Sequence, residues 1–246
     1  MSETVIQNQD PEVNPEMADM FKAGIHFGYR RMKRHPNMRS FIFGTKNNVE
    51  VFDLARIHTK LTEALEVITQ LGREDKSILF VGTKAAAHDA IKATAESLSM
   101  PYVTERWLGG TLTNFKVLSE RMSYWLDLER QKNSGELRKY TKQEQARLAE
   151  KIQKLDHAFG GLRTMKKLPN AVFVVDIDEE MTSIKEAHNK SIPVIALTNS
   201  DTNPQLVEHP IPANDNSRSS IEYILGRVVE AYRQGNQQKR MEAETK

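Results

Sequence analysis

Three short, unbroken apolar runs constrain this chain most: Ile78-Leu79-Phe80-Val81, Ala171 to Val175, and Pro193-Val194-Ile195-Ala196-Leu197. A strand that is apolar at every position needs cover on both faces, the condition of a strand inside a parallel sheet flanked by helices. Tyr102-Val103 is a shorter candidate of the same kind, and Ile211 fits a short edge strand. Helix-length segments separate the runs. Leu61, Leu65 and Ile68 share one face of a helix expected over Leu54 to Leu71, closed by Gly72. Further helices are expected over Ala85 to Leu98, directly after Gly82-Thr83-Lys84, over Asp176 to Lys190, and from Ser217 or Ser219 to about Arg233. Strands that alternate with helices imply a parallel sheet with right-handed crossovers.

The alternation stops in the middle of the chain. Val117, Leu118, Met122, Trp125 and Leu128 recur at three and four residues, Asn133-Ser134-Gly135 breaks the pattern, and Leu148, Ile152, Leu155 and Phe159 resume it. Thr141-Lys142-Gln143-Glu144 has the form of a capping box. One heptad stripe on each arm predicts an antiparallel coiled-coil hairpin, inserted over about 112–162 into a single α/β domain of 17–233. It leaves the sheet at Arg106-Trp107-Leu108-Gly109-Gly110-Thr111-Leu112-Thr113-Asn114-Phe115. Two glycines there allow a tight turn, Thr111 or Thr113 is expected to cap the next helix, and Trp107 is expected to anchor the junction. Residues 1–16 and 234–246 are polar and read as disordered tails.

Charge is distributed unevenly. Net charge is only +2, but no acidic residue lies between Asp19 and Glu50, where Lys22, Arg30, Arg31, Lys33, Arg34, Arg39 and Lys46 all fall. Such a block suits either a solvated face or a polyanion. Tyr29, Phe41 and Phe43 interleave with the cations and supply stacking surfaces, which favours nucleic acid. Zero cysteines exclude disulfides and thiolate chemistry, and no apolar run approaches a membrane span, so the chain reads as cytoplasmic.

Catalytic patterns are missing. Phe80-Val81-Gly82-Thr83-Lys84 lacks the upstream glycine and the following hydroxyl of a phosphate loop, and Gly109-Gly110 lacks the third spaced glycine of a dinucleotide site. Asp176, Asp178, Glu179 and Glu180 suit a helix N-terminus better than a metal site. The seven histidines show no metal-ligand spacing. No metal, cofactor or catalytic residue is expected, and the competing class is a Rossmann-like enzyme that binds a nucleotide or sugar phosphate.

Six collinear stretches together resemble one family, the second protein of the small ribosomal subunit in its bacterial or organellar form. They are Lys22 to Gly28, Phe41 to Gly44, Ile78 to Lys84, Arg106 to Phe115, Leu168 to Asp176, and Ile211 to Asn216. The resemblance implies an α/β fold, a Rossmann-like (flavodoxin-like) parallel sheet with helices on both faces and an inserted coiled-coil hairpin. It implies a structural constituent of the small subunit that binds small-subunit rRNA and helps dock the large messenger-binding ribosomal protein, with no catalysis and no homo-oligomer. The RNA-binding set it points to, together with the early basic block, is Lys22, Arg30, Arg31, Lys33, Arg34, Arg39, Lys46, Lys84, Arg106, Lys116, Arg163, Lys166 and Lys167. Charge reversal at Arg30, Arg31 and Arg34 is then expected to weaken assembly without unfolding the domain. The chain departs from the family at Gly28-Tyr29-Arg30, where the family usually carries Gly-His, and in the loop Asn199 to Pro204, where acidic positions are altered.

Overall fold

The computed structural model describes residues 15–244, so the expected N-terminal tail lies almost wholly outside the described residues. In chain order the main elements begin with α1 (Pro15–Lys22), β1 (Phe27–Arg30), β2 (Ile42–Lys46), β3 (Val49–Phe52), α2 (Leu54–Arg73), β4 (Ile78–Val81) and α3 (His88–Leu98). There follow β5 (Tyr102–Val103), α4 (Phe115–Asn133), α5 (Lys142–Phe159), β6 (Ala171–Val175), α6 (Met181–Asn189), β7 (Val194–Thr198), β8 (His209–Pro212) and α7 (Arg218–Glu244).

The apolar runs form one parallel sheet in the order β5-β4-β6-β7-β8. Counted from the first of its strands this is 2-1-3-4-5, the flavodoxin-like doubly wound order. Alternate residues face opposite sides. Phe80, Phe173, Ile195 and Leu197 pack in one core with Ile57, Leu61 and Ile68 of α2, Ile91 of α3, and Ile221, Ile224 and Val228 of α7. Leu79, Val81, Val172, Val174 and Ala196 pack in a second core with Ile184 of α6, Trp107, Leu112 and the apolar stripes of α4 and α5. Helices thus cover both faces, which is why the strands carry no polar alternation.

Both borders of this sheet are blunt. β5 is two residues long, and Gly161 lies so close to it that an added Cβ would come within 2.3 Å of the Tyr102 carbonyl oxygen. On the far border, β8 carries Pro210 and Pro212, which have no N–H to donate.

Several boundaries differ from the sequence reading. Lys84 to Ala87 make a turn before α3, which begins at His88 and not at Ala85. α6 begins at Met181, because Asp176 adopts φ 75° and its Oδ1 accepts from Asp178 N at 3.0 Å in a local turn. α7 does not stop near Arg233 but continues to Glu244, held against α2 by the Arg73–Glu242 ion pair and close packing at Gly235, and against the turn after α2 by the Lys239–Asp75 pair. Phe41 to Phe43 and Val49 to Phe52 read in sequence as two short strands joined by a turn over Gly44 to Asn48; they are present as β2 and β3, and β1 joins them in an antiparallel sheet of order β1-β3-β2.

Helices α4 and α5 form a hairpin, turned at Gly135 (φ 79°) and restarted by a complete Thr141–Glu144 capping box. Its buried stripe contains Leu118, Met122, Trp125, Leu128 and Ile152. Arg163 lies over the Trp125 ring at 4.5 Å while bridging Glu129 and Asp156, which ties the end of the return arm to the outgoing one.

Candidate nucleic-acid interface

The basic block is carried by the small antiparallel sheet, with Arg30 ending β1 and Lys46 ending β2, and by the segment between these strands, which holds Arg31, Lys33, Arg34 and Arg39; together they sit over the carboxyl ends of the parallel strands. Tyr29 N donates to Ser200 Oγ at 2.7 Å, His35 N to the Ser200 carbonyl at 2.8 Å, and Asn37 Nδ2 to Asn203 Oδ1 at 3.0 Å. Asn214 N donates to the Ile25 carbonyl at 3.1 Å. The loops after β7 and β8 therefore serve as the seat of the basic segment.

Underneath lies the crevice between β4 and β6, where strand order reverses and where doubly wound sheets hold their ligands. Here side chains of the chain itself meet. Lys84 Nζ stands 3.0 Å from Asp176 Oδ2, 3.2 Å from Asp215 Oδ2 and 3.2 Å from Tyr29 OH. Burial opposes the Lys84 ammonium, but Asp215 and then Asp176 outweigh it and hold its pKa above the ordinary lysine value. Burial pushes the Asp215 carboxyl up, to about 6, against the pull of Asn199 and Lys84. Glu180 accepts from Thr83 N at 2.8 Å, and burial raises its pKa as well. Asp176 and Glu180 are thus partners in tertiary contacts, which corrects for these two the expectation that the acids after β6 merely open a helix, whereas Asp178 and Glu179 are exposed.

At the root of the hairpin a second carboxylate organises the junction. Glu186 of α6 accepts from Trp107 Nε1 at 3.0 Å, Gly110 N at 2.7 Å, Leu112 N at 3.0 Å, and both N (3.1 Å) and Oγ1 (3.0 Å) of Thr113. The left-handed φ of 92° at Gly110 aims these amides inward. Burial pushes the Glu186 pKa up, but the bonds from Trp107 and the three amides outweigh it, so the net shift is downward. Thr111 and Thr113 do not cap α4: Asn114 holds the N-cap position without a side-chain bond, Thr111 Oγ1 donates to the Leu108 carbonyl, and Thr113 is drawn to Glu186. Trp107 is buried, as the junction reading expected.

The cations picked out in the sequence fall into two kinds. Arg30, Arg31, Lys33, Arg39, Lys46, Arg106, Lys116, Lys166 and Lys167 are exposed, and Lys33 Nζ lies 5.4 Å from the Tyr29 ring centre. Lys22 is exposed beside Asp19 at 3.1 Å. Lys84 is turned inward, Arg163 is committed to Glu129, Asp156 and Trp125, and Arg34 pairs at 3.1 Å with Glu50, which is fully buried and also accepts from Thr45 Oγ1. The structure brings Arg30, Arg31 and Lys46 together around the turn Asn47-Asn48, whereas Arg106 and Lys116 flank the hairpin root. Sequence reasoning gives Met32, Asn47 and Asn48 no site role there, although Gly44 to Asn48 reads as the turn of a hairpin.

The family model described as Ribosomal protein S2 matches residues 20–235. Three curated relatives carry the name small ribosomal subunit protein uS2. The one from Roseiflexus sp. is 40% identical over 219 residues, covering 89% of this chain and 84% of the relative. The one from Dictyoglomus thermophilum is 37% identical over 228 residues, covering 93% of each, and the one from Salinibacter ruber is 37% identical over 228 residues, covering 93% of this chain and 71% of the relative. With a family match that takes in both the sheet and the hairpin, the chain belongs to the ribosomal protein S2 family.

Proposed function

We propose that this chain is a structural constituent of the small ribosomal subunit and binds small-subunit rRNA, with no catalytic role. The observation that carries the reading is a block of cations free of acidic neighbours in sequence, held on a small sheet and the segment between its β1 and β2, which are seated on the doubly wound domain. Exposed lysines and arginines supply phosphate contacts and hence salt-dependent affinity, while the rigid seat supplies shape recognition of folded RNA. Against a nucleotide-binding enzyme stands the crevice between β4 and β6, where Lys84 is engaged by Asp176, Asp215 and Tyr29. The family resemblance also implies docking of the large messenger-binding ribosomal protein, a contact checked by asking whether that protein is lost from subunits depleted of this chain.

Sucrose-gradient fractionation of a lysate at low and high salt tests the main reading. Co-migration with small subunits, released only at high salt, is the expected result. A chain that sediments away from small subunits at every salt concentration sinks it.

A further inference from the structure

The turn between β2 and β3 has exactly two residues, Asn47 and Asn48, flanked by the Lys46–Val49 pair, and both have left-handed backbones (φ 50° and 62°). This is the type I′ geometry, in which glycine is the least strained choice at the second position. An asparagine there keeps an amide side chain at a conformational cost. The side chains of Asn47 and Asn48 have no hydrogen-bond partner among the described residues. The turn is braced against the end of β1 by the bond from Arg31 N to the Asn48 carbonyl at 2.9 Å.

Between turn and strand end lies a cleft of about 640 Å³ lined by Arg30, Arg31, Met32, Asn47 and Asn48, within the ~300–1,000 Å³ typical of small-ligand sites. Its chemistry is lopsided. Two guanidinium groups line it without an ion-pair partner among the described residues, and the nearby acid Glu50 is buried against Arg34 and Thr45. Met32 is 98% exposed and offers a polarisable apolar surface. Planar guanidinium forks suit phosphate, unpaired amides suit the polar edge of a base or a ribose hydroxyl, and a thioether suits a ring face or edge.

We propose that this cleft is a nucleotide pocket, which takes one unstacked nucleotide from a loop or bulge of RNA. Arg30 and Arg31 hold its phosphate, Met32 lies against the base, and the amides of Asn47 and Asn48 bond its edge or ribose. A regular duplex does not meet this demand, because its bases are stacked and it presents mainly phosphate and ribose to a protein surface. The proposal rests on the rRNA-binding reading and gives it a location and a mode.

Two measurements test it, both on the full chain. Small subunits containing the chain are irradiated to form zero-length crosslinks and cleaved after glutamate, which releases the stretch between Glu16 and Glu50 as one peptide. A nucleotide adduct at 30–32 or 47–48 is expected. In parallel, protein-free small-subunit rRNA is titrated with wild type, N47G/N48G and R30A/R31A. Glycine keeps the turn, so N47G/N48G is expected to fold normally, to bind about tenfold more weakly and to keep the wild-type salt slope. R30A/R31A is expected to lose affinity and to lower that slope by about two. Wild-type affinity in N47G/N48G, or adducts confined to other parts of the chain, overturns the pocket while leaving rRNA binding in place. Absence of rRNA binding by wild type removes the pocket and the underlying reading together.

Discussion

Glu186 and Trp107 stand 79 positions apart, and a 3.0 Å bond from the indole Nε1 to the carboxylate joins them at the root of the hairpin. The same carboxylate gathers three backbone amides and a hydroxyl, so one side chain of α6 fixes how the segment before α4 leaves the sheet.

Glu186→Ala leaves those donors without their acceptor in a buried position. Unsatisfied buried donors cost about 1–3 kcal/mol each, and Thr113 recovers part of this from water. A loss of about 3 kcal/mol in urea unfolding is expected, with tryptophan emission shifted towards that of exposed indole. A change below about 0.5 kcal/mol, the usual scale of neutral surface substitutions, shows that the clamp adds nothing.

The same carboxylate predicts a dependence on acid. Its folded pKa lies below the usual 4.5, so its contribution is present above 4.5 and is lost as pH falls through the folded value. Wild type is therefore expected to exceed Glu186→Gln in stability at about pH 7, with the gap closing at about pH 3. Equal gaps at the two pH values contradict the assignment.

Asp215 runs the other way. Its folded pKa is raised from 3.8 to about 6 by burial, so its contribution is complete below 3.8 and is lost as pH rises through about 6. Comparison of unfolding midpoints with Asp215→Asn between about pH 4 and about pH 7 is expected to show wild type losing ground as pH rises. A pH-independent difference refutes the shift.

Arg34 and Arg31 separate structural from exposed cations. Arg34→Ala strips the buried Glu50 carboxylate of its ion pair, which is expected to lower stability by about 2 kcal/mol after allowance for the partial exposure of the guanidinium. Arg31→Ala stays within about 0.5 kcal/mol of wild type. Thermal melts of the two variants decide it, and because Arg34 is one of its three positions, charge reversal at Arg30, Arg31 and Arg34 is expected to lower stability as well as RNA contact.

Gly235→Ala tests the far end of α7. In a frayed tail alanine helps the helix by about 1 kcal/mol. Against α2 the added Cβ meets the Thr69 carbonyl oxygen at 2.0 Å, and overpacking of this kind costs about 1–3 kcal/mol. Net destabilisation is expected, and a rise in melting temperature shows that this segment is unpacked.

The parts of the fold legible in sequence were those in which a single residue type repeats. Ala171 to Val175 and Val194 to Leu197 announce themselves because burial on both faces forbids polar alternation. β1 escaped notice: Phe27-Gly28-Tyr29-Arg30 is four residues long, contains glycine and is exposed at both ends, so no periodicity marks it. The end of α7 was hidden because its support comes from α2, far away in the chain. At the candidate site, sequence counts positive charges but does not reveal which ones are cancelled. The acids that claim Lys84 and Arg34 are brought by other strands and loops, and nothing local distinguishes these two cations from Arg31 or Lys46.

The short β5 tucked under Gly161 and the proline-bearing β8 have a consequence for the life of the chain before it finds its partners. An extended segment from another molecule meets little unpaired backbone along either border and so cannot readily template onto it. Copies made in excess are accordingly expected not to associate through the borders of the parallel sheet, where longer, unguarded edge strands would invite pairing.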